Sequence, residues 1–150
     1  MPLINRGLPL TRFHPEQVFP KLTPVQIGRI AAQGQTRTTL RGEVLVEQGE
    51  SNIPFFVVVS GEIEVVRPSD TAEILVTVHG PGQFTGEVTM LSGRKSLFRI
   101  RVSEPGEAVE LDRQHLLALV QNDPGISDIL MRASFYAGPS WWRPAWEMLR

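Results

Sequence analysis

Phe55-Phe56-Val57-Val58-Val59-Ser60-Gly61-Glu62-Ile63-Glu64-Val65-Val66 decides how this chain folds. Aromatic and β-branched residues suit a pleated, half-buried surface. The stretch reads as two strands, Phe55–Ser60 and Glu62–Val66, with Val59-Ser60-Gly61 as a hairpin. Further runs of the same kind lie on either side: Thr36–Leu40, Glu43–Val46, Ile74–Val78, Phe98–Val102 and Ala108–Leu111. Arg41-Gly42, Gln48-Gly49-Glu50-Ser51, Pro68-Ser69-Asp70, Gly80-Pro81-Gly82 and Glu104-Pro105-Gly106 punctuate them as turns. Strands this short and this evenly spaced predict a mainly β fold with flanking α. The expected architecture is a double-stranded β-helix, or jelly roll, of about eight strands with N- and C-terminal helices.

The helices announce themselves by their ends. Thr23-Pro24-Val25-Gln26 is a capping-box signal with Pro at the first helical position; Ile27, Ile30 and Ala31 mark one buried face, and Gly34 stops the helix. Asp112 caps a second helix carrying Leu116, Leu117, Leu119 and Val120, which ends at Asn122-Asp123-Pro124. A last helix carries Ile126, Ile129, Leu130 and Met131 and fades at Gly138-Pro139. Residues 1–19 have no period and read as an extended arm or a short helical lead-in. The division expected is one β-roll domain with flanking helices over residues 1–138 and a Trp-rich tail over 139–150.

The 150 residues suffice for one domain with a sizeable core. Fifteen basic against sixteen acidic side chains leave no global field to gather nucleic acid or an anionic membrane, so any anion site must be local. Cysteine is absent, which removes thiol catalysis, disulfides and cysteine-ligated metals. No apolar run approaches the length of a membrane span. These features lead to the expectation of a cytoplasmic protein with no membrane association.

Phe84-Thr85-Gly86-Glu87-Val88-Thr89-Met90-Leu91-Ser92-Gly93-Arg94-Lys95-Ser96 carries the chemistry. A glycine at the open start of a helical turn lets a phosphate approach backbone N–H groups, and a glutamate on the same turn is an acceptor suited to a ribose hydroxyl. The same residues also read as an ordinary tight turn with a surface glutamate. Arg94, Lys95, Arg99 and Arg101 put four cations in eight residues, either a solvated edge or an anion site.

Flanked by Ile74–Val78 and by the Phe55–Gly61 run, and combined with the register Gly42, Gly49, Gly61, Gly82 and Gly86, this turn resembles that of the cyclic nucleotide-binding domain family over roughly residues 15–135. The family comprises the sensor modules of catabolite-activator-like regulators, kinase regulatory subunits and gated channels. The resemblance implies that Gly86, Glu87 and Val88 present N–H groups to a cyclic phosphate and that the Glu87 carboxylate takes the ribose 2′-hydroxyl. The family's closing Arg-Ala-Ala-Thr is replaced: counted without a gap, the Arg position falls on Ser96, the small residues become Leu97 and Phe98, and the Thr becomes Arg99. Arg94 or Lys95 then supplies the cation if the turn is tighter. Thr85-Gly86-Glu87, Leu91-Ser92-Gly93-Arg94 and Ser103-Glu104-Pro105-Gly106 look most like the variant found ahead of thioredoxin-reductase-like flavoproteins.

The reading is a non-catalytic sensor of cyclic AMP, cyclic GMP or a related phosphorylated nucleotide, with no other cofactor. It signals through its C-terminal helix to a protein partner, a redox flavoprotein or another effector. Its candidate ligand-binding residues are Gly86, Glu87, Val88, Arg94, Lys95, Ser96, Leu97 and Arg99. No helix-turn-helix follows the roll, so no direct DNA binding is expected. One rival is a protein-interaction scaffold whose pocket is filled by Leu97 and Phe98; a weaker one is a cupin-like metal enzyme, for which His79 lacks the His-x-His neighbour. His14 lies in the arm and His115 at a helix cap. Trp141, Trp142 and Trp146 are too apolar for a free tail and predict packing onto the roll or a homodimer contact.

Overall fold

The computed structural model describes residues 20–85 and 95–134. The Trp-rich segment 139–150, the arm before residue 20 and the turn from Gly86 to Arg94 lie outside them. The order of elements is α1 (Pro24–Ala31), β1 (Gln35–Thr39), β2 (Val44–Val46), β3 (Phe55–Pro68), β4 (Glu73–His79), β5 (Phe84–Thr85), β6 (Arg99–Leu111), α2 (Arg113–Asn122) and α3 (Pro124–Ser134). The expected mainly β roll with helices at both ends is what forms.

All strand pairs are antiparallel, in the order β1-β6-β3-β4, with β2 also on β6 and β5 also on β3. Two pairs of sequence runs prove to be halves of longer strands. Phe55–Ser60 and Glu62–Val66 are both in β3, which continues for 14 residues, and Gly61 is an irregularity within it, not a hairpin. Glu104-Pro105-Gly106 likewise sits inside the 13-residue β6 and turns nothing. The two irregularities oppose each other: pairing runs from Phe55↔Leu111 to Val66↔Arg99, with its register shifts confined to Val58–Ile63. A bulge bends a strand while letting pairing resume beyond it, which is how one ladder wraps into a roll.

Side-chain alternation along these strands separates two apolar clusters. Val46, Ile53, Phe56, Val58, Ile63, Val65, Ile100 and Val102 fill the roll, with Leu45, Val76 and Phe98 packed against them. On the opposite face of the same strands, Phe55, Val57, Val109 and Leu111 join Phe84 and the helices' Ile30, Leu116, Ile126, Ile129, Leu130 and Ala133.

The helix ends follow the sequence closely, with two differences. Thr23 accepts from the Gln26 N–H while the Gln26 side chain accepts from the Thr23 N–H, completing the capping box. The C-cap is Ala32. Gly34 serves instead for close approach, since a Cβ there would stand 2.5 Å from the Glu110 carbonyl oxygen. Asp112 caps α2 through the His115 N–H at 2.9 Å. On α3, Met131 lies on the outer side, 58% exposed, and Ala133 takes a core place.

Candidate functional site

The segment that carries the nucleotide signature is fixed at its entry. β5 pairs Val57↔Phe84 and Phe56↔Thr85, and Phe84 is fully buried with its ring 5.7 Å from that of Phe55. The turn before it is stitched down as well: Gly82 N–H donates to the Val58 carbonyl, Val58 N–H to the Gln83 carbonyl, and Gly80 N–H to Gln83 Oε1. Gly86, Glu87, Val88 and Arg94 lie outside the described residues, so the structure speaks to the site through what flanks them.

The exit is anchored on the loop between β2 and β3. Ser96 N–H donates to the Glu50 carbonyl and Gly49 N–H to the Ser96 carbonyl, each at 2.8 Å. Gln48 Nε2 reaches the Leu97 carbonyl at 3.3 Å. Ser96 is buried, and its hydroxyl both donates to the Phe98 carbonyl (2.8 Å) and accepts from the Phe98 N–H (3.3 Å). Lys95, by contrast, is exposed and forms no ion pair among the described residues.

Arg99 and Arg101 alternate on β6 with the roll-facing Ile100 and Val102, which puts both guanidiniums on the outer face. Both are fully engaged there. Arg99 donates to Glu47 at 2.8 Å and to Glu73 at 2.7 Å. Arg101 grips Glu73 through two nitrogens, at 2.7 and 3.0 Å, and reaches Glu64 at 2.6 Å. The hydrogen bond from Arg99 holds the Glu47 carboxyl below the usual carboxylate range, and that from Arg101 does the same for Glu73. These arginines are neither a simple solvated edge nor open cations; they are neutralised in place.

Of the described candidate residues, Lys95, Ser96 and Leu97 stand together at the exit, while Arg99 is drawn away to Glu47 and Glu73. Leu97 is 38% exposed, and Phe98 packs against the roll's inner cluster. Glu47, Glu64 and Glu73 were not singled out in the sequence, because carboxylates at 26 to 52 residues' separation carry no local signal for an ion cluster. His79, at the end of β4, is buried, and burial lowers its pKa to about 4, so the imidazole is neutral. Among the described residues no group of three or more His, Asp or Glu side chains could hold a metal ion, and no helix is long and apolar enough to cross a membrane.

Comparison with known proteins gives a consistent picture. The family model described as cyclic nucleotide-binding domain matches residues 36–123. A CRP-like cAMP-activated global transcriptional regulator of Mycobacterium tuberculosis is 27% identical over 117 residues, 77% of this chain and 52% of the regulator. The potassium channel AKT1 of Oryza sativa is 30% identical over 89 residues, 59% of this chain and 10% of the channel. The chain therefore spans about half the length of the one and a tenth of the other. Among solved structures, one from a cyclic-GMP-dependent signalling pathway of bacterial phytopathogenesis superposes with a TM-score of 0.64 at 27% identity, over 76% of this chain and 91% of that one. The catabolite activator protein of Thermus thermophilus has the same fold, with a TM-score of 0.63 at 24% identity over 76% of this chain and 54% of its own.

Proposed function

The chain belongs to the cyclic nucleotide-binding domain family, and from that premise we propose that it is a regulatory sensor that binds a cyclic nucleotide, cyclic AMP or cyclic GMP, does no chemistry on it, and signals to a protein effector. The observation that carries this is the contrast among neighbouring cations. Lys95 is exposed and, among the described residues, forms no ion pair; it stands beside the buried, anchored Ser96, seven residues after Val88, whereas Arg99 and Arg101 are neutralised by carboxylates. A phosphate needs an available cation together with backbone donors, which favours Lys95 over the two arginines in this reading. Glu87 takes the ribose hydroxyl in this reading, and Arg94 assists Lys95.

The path outward is in the packing. Phe84, two residues before Gly86, shares its cluster with Ile126, Ile129, Leu130 and Ala133 of α3. A ligand that reorders the turn after β5 acts on an apolar cluster that α3 shares, so in this reading α3 is the element that reports binding, to a redox flavoprotein or another effector. The scaffold alternative requires Leu97 and Phe98 to occupy the roll; Phe98 does pack against its inner cluster, and the exposure of Leu97 argues against the rest.

Titration calorimetry of the protein with cyclic AMP, cyclic GMP and cyclic dinucleotides is the test. The expected result is saturable binding of a cyclic mononucleotide that Glu87→Ala weakens by about 10- to 100-fold, the worth of one charge-assisted hydrogen bond. No binding to any of these nucleotides, or binding indifferent to Glu87→Ala, overturns the proposal.

A further inference from the structure

The ion cluster on the outer face of β6 lies immediately downstream of the anchored exit, and it adds a side-chain tie between the β2–β3 loop and the strands β3, β4 and β6. Glu47 belongs to the β2–β3 loop, Glu73 opens the edge strand β4, Glu64 sits mid-β3, and both arginines are on β6. Glu73 is the shared member, accepting from Arg99 and Arg101 together. Glu47 continues the chain of contacts into the loop that bonds to Ser96 and Leu97: its own N–H donates to Glu50 Oε1 at 2.6 Å, and its carbonyl accepts from the Glu50 N–H. From Glu73 through Arg99 and Glu47 to Glu50 and Ser96 there is thus an unbroken line of polar contacts.

We propose that Arg99 is a positioning residue and not a phosphate contact: held between Glu47 and Glu73, it clamps the β2–β3 loop onto β6 and so fixes Lys95 and Ser96 in the place from which they meet the ligand. The inference rests on the sensor reading above and refines it by dividing the cations into one that touches the anion and one that places it. The geometry supports the division. Arg99 points away from the roll interior, its planar fork is satisfied on two sides, and the loop it holds makes three of its hydrogen bonds to residues 96 and 97.

The two roles predict opposite signs when the carboxylates are neutralised. In a Glu47→Gln, Glu73→Gln double variant, a phosphate-contacting Arg99 is released from competition and cyclic nucleotide affinity rises. A clamping Arg99 loses its hold, and affinity falls by about 3- to 10-fold with an unchanged dependence on salt. Arg41→Gln, which removes an exposed pair with Glu104 at the far bend of β6, is the control and leaves affinity as it was. Hydrogen exchange of the ligand-free protein gives an independent readout. The Ser96 and Phe98 amides exchange several-fold faster in the double variant and in Arg99→Gln, and Arg99→Lys, which keeps the charge between Glu47 and Glu73, retains more of their protection than Arg99→Gln. Unchanged exchange at those amides, or tighter nucleotide binding in the double variant, overturns the clamp. Wild-type protein that binds no cyclic nucleotide defeats the sensor reading alone, since the exchange measurement decides the clamp without ligand.

Discussion

Gly61 and Gly106 meet backbone against backbone: a Cβ on Gly106 would fall 2.7 Å from the Gly61 nitrogen, and one on Gly61 would fall 2.6 Å from the carbonyl oxygens of both Glu104 and Pro105. Gly61 also holds φ at +81°, where side chains are strained. The bend in the β3–β6 ladder therefore depends on two missing side chains.

Gly61→Ala and Gly106→Ala should each lose about 2–4 kcal/mol in urea unfolding, the cost of backbone strain plus overpacking. Gly80→Ala, with nothing within 4 Å of the added carbon, is the comparison and should stay within about 0.5 kcal/mol. Equal stabilities across the three would show that the bend tolerates side chains and that the paired irregularities are incidental.

Neutralising Arg94 and Lys95 together should weaken cyclic nucleotide binding and flatten its dependence on ionic strength, because a cation in contact with phosphate contributes a screened attraction. Calorimetry in low and high salt reads both quantities. A double variant whose affinity and salt slope match the parent would remove these residues from the phosphate.

Acid should destabilise the fold in two stages. His79 is neutral when folded, with its pKa depressed to about 4, yet takes a proton near 6.5 once unfolded. Stability is thus complete above about pH 6.5 and falls by about 3 kcal/mol as pH drops to 4, since the unfolded chain binds the extra proton. Below that, Glu47 and Glu73, whose folded carboxyls titrate lower than unfolded ones, withdraw the contribution of the ion cluster. Unfolding free energies measured from pH 7 to 4 test the first stage, and His79→Leu should level it.

Core truncation should separate the helix faces that the sequence left ambiguous. Leu116→Ala and Ile126→Ala, both at fully buried positions, should each lose about 2–5 kcal/mol, and Met131→Ala less than about 0.5 kcal/mol. A large loss at Met131 would mean that its outward face is covered in solution.

The roll was legible because its signals are local. Five glycines in register marked turns and bends, and four of them, Gly42, Gly49, Gly61 and Gly82, do adopt positive φ. Thr23 and Asp112 capped the helices they promised. Strand continuity was not legible: Ser60-Gly61 and Pro105-Gly106 have the composition of turns, and only the opposing strand, more than forty residues away, keeps them in a ladder. The fate of Arg99 and Arg101 was hidden for the same reason. A run of basic residues looks like an anion site until the fold brings Glu47, Glu64 and Glu73 beside it. Met131 sits at a spacing that fits either side of α3, and tertiary packing chose Ala133.

β6 is the last strand among the described residues, yet β1, β2 and β3 all pair with it. Phe55 must wait for Leu111 and Gln35 for Glu110, so the ladder is assembled from partners far apart along the chain. Such contacts make for slow folding, because loop closure precedes the contacts that stabilise it. During synthesis β1 and β2 leave the ribosome before their partner exists, whereas β3 can pair with β4 once residue 79 emerges and keeps its other edge open until β6 arrives. Only when residue 111 has cleared the exit tunnel can β1 and β2 take their places, so the β3–β4 hairpin is the part of the roll free to form first.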